Sequence, residues 1–413
     1  MSKPQLRFKG FEDEWQEALV SEKCNFSRGQ GYSKSDLKDS GHPIFLYGRL
    51  YTKYSTFVRE VDTYAALFPF AVLSTGKEIV MPSSGEEADG ISVASAILSK
   101  NIILGGGLNI LLPNQKEIHN PFLALNLTFG SPHKDLAKRA QGKSVVHLYN
   151  QDIASVLFNY PCIEEQALIA DFFRRIDEMI SEAEREVNRL EKMKQASLQK
   201  MFPRPGASAP EIRFNGFSSR WRKCKLSELL TQRIEHQKIT DEEPLLAFSY
   251  AEGVINPDDK KSNKRDFLMT DKFNKIFSRT EVDDIIYNPA NVIHGAIHRN
   301  TLKTGVVSPI YKIFRCNEDI SPKYMGVRLR TSSFIAEIFK YIEGTVIKLR
   351  TLSPDSFLNM EIDIPESIAE QDYIGEYFYK LDNLISSKRQ KLVKLRNIKQ
   401  ACLDKMFVNT SDL

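Results

Sequence analysis

EQALIADFFRRIDEMISEAEREVNRLEKMKQASLQKMF, from Glu165 to Phe202, recurs as EQDYIGEYFYKLDNLISSKRQKLVKLRNIKQACLDKMF, from Glu370 to Phe407, with 15 identities in 38 positions at an offset of 205 residues. Chance would give about two, so the segment is duplicated. A shorter match stands upstream of each copy. Pro4-Gln-Leu-Arg-Phe-Lys-Gly-Phe-Glu-Asp-Glu-Trp15 returns as Pro210-Glu-Ile-Arg-Phe-Asn-Gly-Phe-Ser-Ser-Arg-Trp221, six of the twelve positions being identical. The chain's two tryptophans are one another's counterparts. Between these blocks the halves diverge. The order is therefore variable, similar, variable, similar: two large dissimilar domains, each followed by one copy of a related segment.

The repeated segment has helical periodicity. Ile169, Phe173, Ile176, Ile180, Ala183, Val187 and Leu190 alternate steps of four and three, a heptad seam. The second copy places Ile374, Phe378, Leu381, Ile385, Leu392 and Leu395 on the same spacing, interrupted by Lys388. Pro161 and Pro365 precede the two helices, Pro203 and Pro205 follow the first, and Gly375 is the one glycine inside either. A helix of 38 residues is ~57 Å long at 1.5 Å per residue. A seam of that length needs a cover. Either each helix lies on its own domain, or the two pair with each other; a two-fold relation between the halves makes that pairing antiparallel and returns the C-terminus to the first domain. The boundaries expected are 1–160 for the first large domain, 161–203 for the first helix, 204–364 for the second domain and 365–413 for the second helix.

The two large domains read as mixed. Glu78–Gly85 and Asn101–Pro113 in the first, and Asp284–Asn291 and Gly305–Phe314 in the second, have the composition of short strands ending in turns. Helical patterns follow at about Asn120–Lys138 and Pro322–Lys340. The expected class is α+β with long helical arms.

Composition sets outer limits. With 413 residues, 42% of them hydrophobic, the chain can build two or three cores. No run of eighteen apolar residues and no signal-like opening are found, so a soluble, cytoplasmic protein away from membranes is expected. Cys24, Cys162, Cys224, Cys316 and Cys402 are scattered without a Cys-x-x-Cys pair, which fits neither a zinc ribbon nor a disulfide framework. The net charge of +4 permits an anionic partner without requiring one.

No catalytic constellation stands out. Gly142-Lys143-Ser144 resembles the end of a phosphate loop, but Ala137 occupies the position of its first glycine. Gly105-Gly106-Gly107 lacks the spacing of a dinucleotide fingerprint. Tyr287-Asn288-Pro289-Ala290 lacks the second proline and the stacking aromatic of an adenine methyltransferase loop. His294 and His298, four apart, have metal-ligand spacing but lie among β-formers. Catalytic, cofactor-binding and metal-binding residues are therefore expected to be absent from this chain.

Taken together, the residues resemble the specificity (S, HsdS) subunit of type I restriction-modification systems, over essentially the whole chain. The markers are Arg-Phe-x-Gly-Phe-x-x-x-Trp at Arg7–Trp15 and Arg213–Trp221, Glu-Gln at Glu165-Gln166 and Glu370-Gln371, and the helix exits Lys194–Phe202 and Lys399–Phe407. The resemblance implies two target recognition domains, separated by two long antiparallel helices in a coiled coil with an internal pseudo-two-fold repeat. It implies double-stranded DNA as ligand, two methyltransferase subunits and restriction/translocase subunits as partners, and a role in host defence. It also places S-adenosylmethionine, ATP and Mg in those partners, which would methylate adenine or cleave. Two dissimilar domains would read a split, asymmetric target.

Within that reading, Tyr47, Arg49, Tyr51 and Lys53 in one loop, with Ser83 and Ser84, are the candidate DNA contacts of the first domain. In the second, Asn288, Asn291, His294, His298 and Arg299 are candidates for bases, and Lys260, Lys261, Lys264 and Arg265 for phosphates. Asn288 and Asn291 equally suit a turn cap. Trp15 and Trp221, with Phe8, Phe11, Phe214 and Phe217, are expected to fasten each domain to a helix end. Two other classes remain: a coiled-coil assembly scaffold that reads no DNA, and a DNA-modifying enzyme with an unrecognised active site.

Overall fold

The computed structural model describes residues 3–142, 144–204, 206–259, 275–342 and 351–408. The chain divides into two compact units, Met1–Glu184 with Gln390–Leu413, and Arg185–Arg389. The chain's last residues thus belong with its first.

In the first unit, the strand Gln16–Leu19 runs antiparallel to Leu157–Tyr160, which leads directly into the helix Ile163–Lys200. The domain enters and leaves on one two-stranded ladder. Between them lie two five-stranded sheets. One has the order Cys24–Arg28, Leu108–Pro113, Ile79–Pro82, Ser95–Ile97, Phe57–Val58; the other has Leu37–Lys38, Tyr64–Ala65, His42–Phe45, Lys100–Leu104, Leu73–Thr75. The second unit repeats the ladder, Trp221–Lys225 against Glu361–Pro365, before the helix Ile368–Met406. Its remaining strands form a four-stranded sheet (Leu230–Gln232, Lys312–Cys316, Ile285–Tyr287, Ile297–Arg299), a three-stranded sheet and a hairpin, Ala247–Ser249 with Gly253–Ile255. The class is α+β, as the alternation of strand and helix patterns implied.

The expected helices at 120–138 and 322–340 are each broken. Asn120–Phe129 stops at Gly130, and Ser131–Arg139 restarts with a proline in its first turn. Pro322–Arg328 gives way to Ser332–Ile338, which Thr331 caps by accepting a hydrogen bond from the Phe334 amide. Hydrophobic periodicity runs through both breaks, so the sequence alone shows a single long pattern in each place.

The two long helices pair in both units, and the contacts are repeat counterparts with the copies exchanged. In the first unit Phe173 stacks on Phe407, Asp177 receives Lys399 at 2.6 Å, and Glu184 receives Arg396. In the second Phe378 meets Phe202, and Asp382 receives Lys194 at 2.5 Å. The sum of paired residue numbers stays nearly constant, which is the signature of antiparallel helices. Ile169, Phe173, Ile176, Val187, Ile374, Phe378, Leu381, Ile385 and Leu395 are buried, and Ile180, Leu190 and Leu392 partly so. Lys388, which interrupts the seam, is half-buried and paired with Glu186 at 2.7 Å. A charged residue at a seam position fixes register at some cost in stability.

The duplicated motifs are two ends of one clasp. The Arg7 guanidinium donates to both oxygens of Glu165, at 2.9 and 2.7 Å, and to the Asp13 carbonyl. Arg213 donates to Glu370 at 2.8 and 2.6 Å and to the Ser219 carbonyl. The carboxylates are 0% and 1% exposed. The adjacent amides finish the helix starts: Gln166 donates to the Pro161 and Glu117 carbonyls and accepts from the His119 amide, while Gln371 donates to Pro365 and accepts from Ser321. Trp15 packs edge-on against Phe122, which contacts Phe407; Trp221 packs against Phe202 and Tyr324. Each tryptophan therefore sits where a helix exit meets a domain core.

Gly375 has a packing reason. A Cβ there would lie 2.6 Å from Lys323 Cβ and 2.7 Å from the Tyr324 nitrogen. Gly→Ala in a helix ordinarily stabilises by about 1 kcal/mol. Here the sign reverses: Gly375→Ala is expected to lower stability by about 1–3 kcal/mol, read as a lower thermal midpoint. A raised midpoint would refute the close approach.

Candidate nucleic-acid interface

In the first unit the two candidate segments converge. The residues around Tyr47 form not a loop but a helical turn, Arg49–Thr52, and the Tyr51 hydroxyl donates to the Ser84 carbonyl at 2.8 Å. The strand Ser84–Gly85 is held by Val146–His147, and the Leu148 amide donates to the Ser83 carbonyl. Asn109, wholly buried, fixes this edge by donating to the Leu148 carbonyl at 2.7 Å. Tyr47, Tyr51, Ser84, Glu86, Glu87 and Val145 line a pocket of about 570 Å³. Tyr47 and Tyr51 meet edge to face, 40% and 41% exposed. Both rings lie on glycines with no room for a side chain: a Cβ at Gly107 would stand 2.6 Å from Tyr47, and one at Gly85 2.7 Å from the Tyr51 hydroxyl. Close by, His147 stacks on Tyr149, and the Arg28 guanidinium lies 5.9 Å from the Tyr149 ring centre.

Arg49 and Lys53 are not free cations, although Lys53 is exposed. Both pair with Asp62, whose carboxyl is held well below the usual range by Lys53 and Arg49. The structure thus leaves the tyrosines and Ser84 at the pocket and commits the two cations elsewhere.

In the second unit the run from Asn288 to Arg299 is split by Gly295, at φ +92°, into a turn, Val292–His294, and a strand, Ile297–Arg299. His294 and His298 therefore do not share a helical face. His298 is only 6% exposed; its Nε2 contacts the Tyr250 carbonyl at 2.9 Å, and burial pushes its pKa down to about 4. It is a packed core residue and not an outward DNA contact. Arg299 pairs with Asp283 at 2.5 Å and lies over the Tyr379 ring. The Asn288 side chain accepts from the Ala290 amide at 3.0 Å, the turn-capping role. Asn291 and His294 remain exposed. Lys260, Lys261, Lys264 and Arg265 lie outside the described residues, as do Lys143 and Pro205.

His294 borders a cleft of about 970 Å³ whose walls include Lys194, Tyr250, Arg330, Ser332 and Phe339. The Tyr250 hydroxyl donates to the His294 carbonyl. Arg330 has no ion-pair partner among the described residues, and desolvation lowers its pKa. Sequence reasoning missed Tyr250 and Arg330. Tyr250 reaches the turn from a hairpin 44 residues away, and Arg330 stands in the sequence as one more charge on a helical pattern.

The motif fragments also find structural explanations. A Cβ at Gly106 would lie 2.6 Å from the Gly31 carbonyl oxygen, so the glycine cluster serves close packing. Among the described residues no group of three or more His, Cys, Asp or Glu is placed to hold a metal ion, and no helix is long and apolar enough to cross a membrane.

The family model for the type I restriction modification DNA specificity domain matches residues 12–192. A search of curated protein sequences finds no match. Among solved structures, the S subunit of a type I restriction-modification system from M. genitalium is similar at 15% identity, over 98% of this chain and 99% of that one, with a TM-score of 0.63. HsdS from Thermoanaerobacter tengcongensis aligns at 16% identity over 95% and 96% of the two chains, with a TM-score of 0.42. The first of these shares the fold along its whole length. Beyond residue 192 the frame of the matched half is rebuilt by counterparts, Arg213, Trp221, Glu370 and Gln371 standing where Arg7, Trp15, Glu165 and Gln166 stand. Residues 12–192 thus match the type I restriction modification DNA specificity domain, and the likeness of the whole chain to the M. genitalium S subunit is one of fold.

Proposed function

We propose that the chain reads a bipartite, asymmetric DNA target, one half-site per recognition domain, and docks two methyltransferase subunits that modify adenine, with restriction/translocase subunits joining for cleavage. It performs no chemistry itself; S-adenosylmethionine, ATP and Mg belong to the partners, and the assembly works in the cytoplasm. The observation that carries this reading is the contrast between frame and surface. The clasp, ladder and helix contacts are the same in both units, down to Arg7–Glu165 and Arg213–Glu370, whereas the surfaces they carry differ. A scaffold has no need of two unlike surfaces on one repeated frame, but a reader of two half-sites does. Apolar side chains left exposed on the long helices, among them Met179, Met193, Leu384, Val393 and Ile398, suit the docking of partner helices.

The test is single-molecule sequencing of DNA from cells carrying the partner methyltransferase, with and without this chain. A split motif bearing N6-methyladenine only when the chain is present is expected. No difference, with an active and bound methyltransferase, would leave the scaffold reading in its place.

A further inference from the structure

The pocket at Tyr47 and Tyr51 has a chemistry that selects its ligand. Its aromatic walls are immobilised, one ring by its hydrogen bond to Ser84 and both by glycines that leave no space beneath them. Yet they remain well exposed, so the fold holds two rigid aromatic surfaces open to solvent. Arg49 and Lys53 are paired with Asp62. The side chains of Glu86 and Glu87, both exposed at the pocket, have no hydrogen-bond or ion-pair partner among the described residues. Among the described residues that line the pocket, a phosphate would meet two free carboxylates and no cation. What fits is a group that brings N–H donors on an aromatic body.

We propose, resting on the DNA-reading function above, that this pocket receives the major-groove edge of one cytosine in the first half-site, with Glu86 or Glu87 accepting from its N4 amine. The choice among bases follows from acceptor counting. A carboxylate only accepts. Guanine presents two acceptors in the major groove and thymine one, while adenine sets the N7 acceptor beside its N6 amine. Cytosine alone offers a donor with no acceptor beside it. The tyrosine rings exclude water from that hydrogen bond and so strengthen the penalty for a wrong base.

The test compares methylation motifs directed by the wild-type chain, Glu86→Gln, Glu87→Gln and the double variant, in cells with the partner methyltransferase. Glutamine keeps the shape but carries both a donor and an acceptor, which suits adenine. In the double variant one cytosine position of one half-site should relax by about tenfold or more towards adenine, with the other half-site unchanged. Purified chain–methyltransferase complex, competed with duplexes differing at that single position, should show the same change. An unaltered motif in the double variant overturns the proposal while the DNA-reading function stands. So does loss of methyltransferase binding, and of methylation with it, in the double variant, which would assign the pocket to a cationic side chain of that partner. If the wild-type chain directs no motif at all, the DNA-reading function fails and this proposal with it.

Discussion

Glu165→Ala and Glu370→Ala are each expected to destabilise the unit that contains them by about 3–5 kcal/mol, the range for removing one partner of a buried ion pair. For a unit of this size that is a fall of about 6–20 °C in its thermal midpoint. The reasoning turns on what is left behind. Arg7 is 12% exposed along its side chain and donates twice to Glu165; without that carboxylate the guanidinium keeps a single bond, to the Asp13 carbonyl. The same holds for Arg213 at 15% exposure, with the Ser219 carbonyl. The clasp also ties the chain before the first strand to the first turn of the long helix, so its loss loosens the ladder Gln16–Leu19 with Leu157–Tyr160 that closes the domain. Scanning calorimetry of each variant checks this. A shift below about 2 °C would show the pair to be worth no more than a surface salt bridge.

This clasp shows how far the sequence could be read. Arg7 and Glu165 are visible as two separate repeated motifs, because duplication marks residues whatever their partners. That they form one ion pair is not visible, because 158 residues separate them and nothing local records the approach. The helices are legible for a different reason: a heptad seam is a local pattern, and its burial follows from periodicity alone. Gly375 reads in sequence as a flaw in that pattern, and only the Pro322–Arg328 helix pressed against it explains the choice.

The candidate recognition surfaces are legible in part. Tyr47, Tyr51 and Ser84 stand out as residues suited to DNA, and the structure brings them to one pocket. The acidic character of that pocket is hidden, since Asp62 removes Arg49 and Lys53 from it and leaves Glu86 and Glu87. In the second unit, four-residue spacing suggests a shared face for His294 and His298. Gly295 in the left-handed region breaks the helix such spacing requires, and His298 turns into the core. Long-range pairing decides which polar residues stay at the surface, and one sequence does not contain it.

The largest functional effect is expected from lengthening the two helices together. Four residues inserted between Glu186 and Val187, and four between Ser387 and Lys388, add one turn to each helix while leaving Glu186 and Lys388 on the same side of both insertions. Four residues add ~6 Å at 1.5 Å per residue, against ~3.4 Å per base pair along a DNA strand. Both half-sites should stay the same, and the unread gap between them should grow by about one to two base pairs. The four-residue insertion unwinds the seam locally without reversing it, so the pairs Asp177–Lys399 and Lys194–Asp382 should survive beyond it. Insertion in one helix alone is the control: it mismatches the partners and should reduce methylation instead of moving the gap. Methylation-motif sequencing reads both outcomes. An unchanged gap in the paired insertion, with methylation retained, would show that the helices hold the assembly together but do not measure the DNA. A longer gap with intact half-sites would separate the two tasks cleanly, since the bases read would depend on the pockets and their distance on the helices.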